Sequence, residues 1–363
     1  MLIICPTADY EIFLGGNYLS GDEVLFEPTR RLLAVWSEFG IKGTLFPDIC
    51  SVWRHREVGL TDWADRFEGQ IRDAAIAGHD VQLHLHPEWR FAEPDGTAWR
   101  FKPGTHALHD LGFSPNDPAG APALIRRGIR YLTELLEPRI PHYRCFAFRA
   151  GGWILQPEGP LVSALLSEGI RVDATIIPGM RSPRTDYVID YRRVPDRPTW
   201  FIASETGIGV DSGEQRDLME ICIASYRGRF PLRQHVVNEL HLRRRARRIP
   251  EPIRGYPITR SGPKPRPLRK LANRFQKLMI PRVLDIADTH ESMLATLESY
   301  LRRYDCQNQD FPVCFNGHPK DTYDYHLVEL RKFLRIVERR HKTRVAFKSI
   351  AEFVSSQPKP TGK

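Results

Sequence analysis

Apolar residues fall into short continuous runs and into longer stretches of helical spacing, and the two kinds alternate along the chain. Leu2–Cys5 is a short apolar run that ends in the cluster Thr7, Ala8, Asp9, Tyr10 and Glu11. From Pro28 the spacing predicts a helix with Leu32, Leu33, Trp36 and Phe39 on one face, and Gly40 stands where a helix end favours glycine. Ile41–Phe46 reads as the next strand. A helix predicted over about 62–77 stops at Gly78 and leads into a strand over Val81–His86. Side chains alternate faces in a strand, so Gln82, His84 and His86 share one side and Val81, Leu83 and Leu85 the other. The cycle repeats: a helix over 123–136, a strand over 145–149, a helix over 160–168 stopped by Gly169, and a strand over 170–177. The last third predicts a helix near 289–304, a strand over 313–316, a helix near 325–341, a strand over 344–347 and a short helix capped by Ser349.

Alternating βα units predict an α/β fold around a parallel sheet, open or closed. No internal repeat is visible. A chain of 363 residues suits one large barrel with insertions or two ordinary domains. Residues 243–282 break the rhythm, with seven prolines and fourteen Lys/Arg against one carboxylate, Glu251. This stretch reads as a basic, Pro-rich surface insertion in a single domain spanning 1–355, and 356–363 reads as a disordered tail.

The insertion changes the meaning of the net charge of +9, because it carries +13 by itself and leaves the remainder near −4. Anionic partners are therefore expected at one place. An anionic membrane surface or an anionic lipid- or nucleotide-linked substrate fits that charge. Nucleic acid is not expected, because Tyr256 and Phe275 are nearly the only aromatics among the arginines. Six cysteines without a CxxC pair read as buried reduced thiols. The apolar start is too short for a signal peptide, and no run of about 18 apolar residues occurs. A cytoplasmic location is expected, with peripheral contact at the inner membrane.

The chemistry collects after the strands. Asp9 and Glu11 follow the first, His84 and His86 end the third, and Arg149 with Gly151 and Gly152 ends the next. Asp173 lies on the following strand, and Asn316, Gly317 and His318 close the late one. Ligand sites in parallel α/β folds lie at the carboxyl ends of strands. Two imidazoles on one face can reach one ion, and zinc-type sites take imidazole and carboxylate ligands. A carboxylate at Asp9 or Glu11 can ligate that ion or act as base on water. His318 can protonate a leaving amine. Arg149 can clamp a carboxylate such as Asp9, and Asp173 can hydrogen-bond Arg149 or His318. Trp89, Trp99 and Trp153 suit stacking on a sugar. His79, His106 and His109 read as structural.

In order and spacing these segments resemble the five motifs of the polysaccharide deacetylase family, the NodB-like carbohydrate esterases of family 4. The segments are Thr7–Glu11, Gly78–Pro87, Phe148–Trp153, Gly169–Thr175 and Phe315–Pro319. The likeness is greatest to a divergent branch found with lipopolysaccharide and O-antigen biosynthesis. The resemblance implies a distorted (β/α) barrel with fewer than eight strands, and a sugar N-deacetylase holding one divalent metal ion. That ion is most often zinc, with Fe²⁺, Co²⁺ or Ni²⁺ as the other choices. It implies Asp9 as base, His84 and His86 as ligands, His318 as acid and Arg149 as the group orienting Asp9. Where the family has two adjacent aspartates, Tyr10 stands second, so Glu11 is taken as the missing ligand. The two histidines are also closer together than in the family. Hydrolysis of another linear or cyclic amide, or saccharide binding without catalysis, are the competing readings.

Overall fold

The computed structural model describes residues 1–14, 21–94, 99–183, 188–228 and 281–357, with positions 236, 240 and 244 in between. Almost all of the basic stretch 243–282, and residues 358–363, lie outside the described residues.

The first strand, β1 (Leu2–Tyr10), is fully buried and longer than its apolar run. Its polar end pairs in parallel with β2 (Thr44–Pro47), which carries Thr7, Ala8, Asp9 and Tyr10 onward as strand. Its apolar start pairs in parallel with β9 (Phe311–Phe315) on one side and β10 (Val345–Phe347) on the other. The segment expected as one strand at 81–86 is two, β3 (Asp80–Val81) and β4 (Leu83–Leu85), interrupted at Gln82. β3 pairs with β2, and β4 pairs with β5 (Ala147–Ala150). The Gln82 side chain spans the break, its Oε1 accepting from Phe146 N at 2.9 Å and Ala147 N at 2.8 Å. Next come β6 (Val172–Asp173), parallel to β5, and β8 (Leu218–Ile221), parallel to β6. Outside these lies β7 (Thr199–Ile202), antiparallel to β8.

The two sheets meet at both seams. Asp48 bridges to His84, and Ile223 bridges to Cys314, each in parallel sense. At the second seam Cys314 N donates to Cys222 O at 2.9 Å and Ala224 N to Cys314 O at 3.0 Å. With β3 and β4 counted as one, β1, β2, β3/β4, β5, β6, β8 and β9 form a ring of seven parallel strands among the described residues. This is the distorted barrel, and its uneven pairing leaves the seams as single bridges.

Helices pack outside the ring. They are α1 (Glu27–Glu38), α2 (Ile49–Glu57), α3 (Thr61–Ile76), α4 (Ala121–Leu136), α5 (Glu158–Ser167), α6 (His290–Arg303), α7 (Asp324–His341) and α8 (Ile350–Ser355). Each buries an apolar stripe, as Leu32, Val35 and Trp36 do on α1. Gly78 ends the turn after α3 at φ +90, a conformation costly for other residues. Helix α2 and the β7–β8 pair go beyond the elements expected from the sequence. The six cysteines are buried and unpaired, as expected. No described helix is long and apolar enough to cross a membrane.

Candidate metal centre

At the carboxyl ends of the strands, alternation along β1 decides which side chains face inward. Asp9 and Glu11 point into the mouth of the ring. Tyr10 points away, packing on Phe67 and donating to Gln70 Oε1 at 2.8 Å. The tyrosine in the middle of the motif is thus a core residue, and Glu11 is the second carboxylate of the site.

His84 and His86 lie on one face with ring centroids 4.8 Å apart. Glu11 Oε2 lies 2.7 Å from His86 Nε2 and 3.5 Å from His84 Nε2. All three residues are buried. Glu11 Oε2 and His84 Nε2 have no hydrogen-bond partner, so the short approach to His86 is not an aligned hydrogen bond. Orphaned buried polar atoms are costly, and two facing each other ask for an ion.

Both rings are held from behind. His84 Nδ1 meets Arg149 O at 2.8 Å, so it donates there, and Nε2 is the ring nitrogen turned to the site. His86 Nδ1 faces Glu88 Oε1 at 3.2 Å. A hydrogen-bonded Nδ1 is the usual support of a metal-ligating imidazole. Two imidazoles and one carboxylate, their ligand atoms within 4.8 Å of one another, suit a divalent ion of the zinc type. Burial pushes Glu11 up, but Lys320 and His86 outweigh it and hold its carboxyl well below the ordinary range. Burial likewise disfavours a charged His86, yet Glu11 and Glu88 raise it well above the usual imidazole value. The site therefore draws in positive charge, and a metal would displace that proton. Glu88→Gln is expected to weaken zinc binding about 10–100-fold. Chelator competition measures this, and unchanged affinity would remove Glu88 from the centre.

Beside the cluster lies an acid–base pair. His318 Nε2 is 3.2 Å from Asp9 Oδ2 and 3.7 Å from Glu11 Oε1. Burial raises the Asp9 carboxyl, but Arg149, with His318, holds it below the ordinary range. Burial lowers His318, and its hydrogen bond to Asp9 more than compensates. The pair therefore favours carboxylate and imidazolium. Gly317 admits the turn: a Cβ there would meet Ile286 at 2.5 Å, and Asp9 N donates to Gly317 O at 2.9 Å.

Arg149 is fully buried. Its Nη1 donates to Asp9 Oδ1 at 2.5 Å, Nη2 to Thr7 Oγ1 at 2.9 Å and Nε to Ala174 O at 2.8 Å, with Asn316 Oδ1 at 3.4 Å. The following Gly151 is needed because any Cβ there would strike Leu85 O.

Two expectations need correction. Asp173 makes no hydrogen bond to Arg149 or His318; the guanidinium instead serves Asp9, Asn316, Thr7 and Ala174. Asp173 lies opposite Glu220 on the neighbouring strand and accepts from Thr175 Oγ1 at 2.7 Å. Burial raises both carboxyls, and the nearby Asp173 pushes Glu220 up further. Trp89 and Trp99 are buried at 0% and 5% exposure, stacked edge to face with each other and packed around His55. They fill core and cannot meet a sugar. Trp153 is half-buried and lies 5.8 Å from the His318 ring, at φ 58.

His79 and His109 hold backbone, accepting from Gly43 N at 3.1 Å and meeting Pro157 O at 2.8 Å. His106 instead approaches Glu88 Oε1 at 3.8 Å and belongs to the surroundings of the centre. Sequence reasoning passed over Glu88, Lys320 and Asp48. Asp48 Oδ1 accepts from His86 N at 3.1 Å and from Cys50 N at 3.2 Å, capping α2, and burial raises its carboxyl to about 7. Proximity to the histidines was the available signal for Glu88, as the Asn-Gly-His-Pro run was for Lys320.

No family model and no curated protein sequence matches the chain. Among solved structures, a putative polysaccharide deacetylase from Mycobacterium smegmatis aligns at 15% identity and TM-score 0.39, covering 90% of this chain and 76% of that one. A probable polysaccharide deacetylase from Pseudomonas aeruginosa PAO1 aligns at 12% and 0.43, covering 98% and 90%. An allantoinase aligns at 13% and 0.42, covering 98% and 89%. Likeness this distant leaves the chemistry to the chain's own residues.

Proposed function

We propose that the chain is a metal-dependent amide hydrolase that removes an N-acetyl group from a sugar. The observation that carries this reading is the pair of orphaned atoms, Glu11 Oε2 and His84 Nε2, beside His86 and next to Asp9–His318. Glu11, His84 and His86 would hold one divalent ion, with zinc the first choice. Such an ion supplies Lewis acidity toward water and toward an amide carbonyl. The remaining steps belong to the protein. Asp9, kept anionic by Arg149, accepts a proton from the attacking water. His318, kept protonated by Asp9, donates a proton to the leaving nitrogen as the C–N bond breaks. Acetate and a free amine result. Trp153, half-buried beside His318, offers the face on which a sugar ring can lie.

The likeness of the five segments to polysaccharide deacetylase motifs supports a sugar amide as substrate. The basic stretch 243–282 supports an anionic, lipid- or nucleotide-linked saccharide, and a role in cell-surface polysaccharide synthesis follows from both. Incubation of the zinc-loaded protein with N-acetylated saccharides and with cyclic amides, including allantoin, tests the reading. Acetate release from the saccharides is the expected result. Turnover of the cyclic amides alone would transfer the same site to a different amide.

A further inference from the structure

Glu11 belongs to two groups of metal-ligating atoms. One is Glu11, His84 and His86; the other is Asp9, Glu11 and His318, and within each group the ligand atoms lie within 4.8 Å of one another. Two such groups sharing one carboxylate could build a two-metal centre, in which ions sit about 3.5–4 Å apart. Here the second group already faces two positive charges. Arg149 Nη1 is 2.5 Å from Asp9 Oδ1, and Lys320 Nζ is 2.8 Å from Glu11 Oε1, the oxygen turned toward His318. Lys320 is only 8% exposed, and its ammonium lies 5.5 Å from the Phe13 ring centroid. It stands in the tight turn Pro319–Asp321, so the segment that delivers His318 delivers the lysine as well.

We propose that Lys320 takes the place of a second cation. Its ammonium holds Glu11 Oε1, leaves Oε2 for the single ion of the proposed function, and keeps Asp9 and His318 free for proton transfer. Lys320 is thus a positioning residue that sets the metal stoichiometry. The inference rests on the reading of Glu11, His84 and His86 as the first site.

Equilibrium dialysis against zinc, followed by elemental analysis, tests it on the full chain. The wild type is expected to bind about one equivalent and Lys320→Ala about two. Lys320→Arg is expected to stay at one, and Lys320→Ala/His318→Ala to return to one. Loaded with Mn²⁺, Lys320→Ala is expected to give an exchange-coupled spin signal that the wild type lacks. Lys320→Gln, nearly isosteric and neutral, gives the same test with the least disturbance of packing. Folded Lys320→Ala and Lys320→Gln proteins binding one equivalent would overturn this inference alone. So would a wild type that takes a second zinc lost in His318→Ala. A wild type that binds no zinc would sink both the first site and this inference.

Discussion

Asp9→Asn and His318→Ala are each expected to lower kcat by about 10²–10⁴-fold, with zinc content kept and KM little changed. The two side chains face each other at 3.2 Å, beside the ligand cluster yet separate from the Glu11–His84–His86 group. Asparagine keeps an oxygen that can accept from Arg149 but cannot take a proton from water. Alanine at 318 removes the proton donor and leaves Glu11, His84 and His86 in place. Steady-state acetate release and elemental analysis on the same samples separate catalysis from metal loss. Full activity in either variant contradicts the assigned proton transfer, and loss of zinc in Asp9→Asn would make Asp9 a ligand rather than the base.

Arg149→Met is expected to destabilise the fold by roughly 3–5 kcal/mol, the usual cost of stranding the partner of a buried ion pair. That is a large share of the roughly 5–15 kcal/mol that holds an ordinary domain together. The guanidinium is fully buried and serves Asp9, Thr7 and Ala174 from three nitrogens, tying β5 to β1 and to the end of β6. Arg149→Lys should recover little, because an ammonium cannot reach those three acceptors in one plane. Denaturant unfolding measures the loss, read as a lower midpoint with an unchanged slope. The Arg149→Met/Asp9→Asn double variant should lose less than the sum of the singles, since neither charge is left alone. A cost below about 1 kcal/mol would show that solvent reaches the pair.

Much of this site was legible because strands alternate faces. The spacing of Asp9 with Glu11 and of His84 with His86 put each pair on one side, and the structure brings all four together with His318. Helix spacing and the glycines at 40, 78 and 169 marked most elements to within a few residues. Other features depend on distance in space. Glu220 meets Asp173 only through parallel pairing of β8 with β6, and β8 was not foreseen. Trp89 and Trp99 follow strand ends in sequence but turn inward against His55, and burial cannot be read from a residue's place after a strand. Asp48 stayed hidden because α2 was unforeseen: its exposed face is short, and its middle is Cys50, Val52, Trp53 and His55, all buried.

Metal content is the measurement that bears most directly on the centre. The protein is purified without chelator, dialysed with zinc and analysed for bound metal beside His84→Ala/His86→Ala. About one zinc per chain in the wild type, and almost none in the folded double variant, is the expected result. A wild type that binds no zinc, iron, cobalt or nickel would contradict it, and would leave His84 and His86 as buried structural histidines.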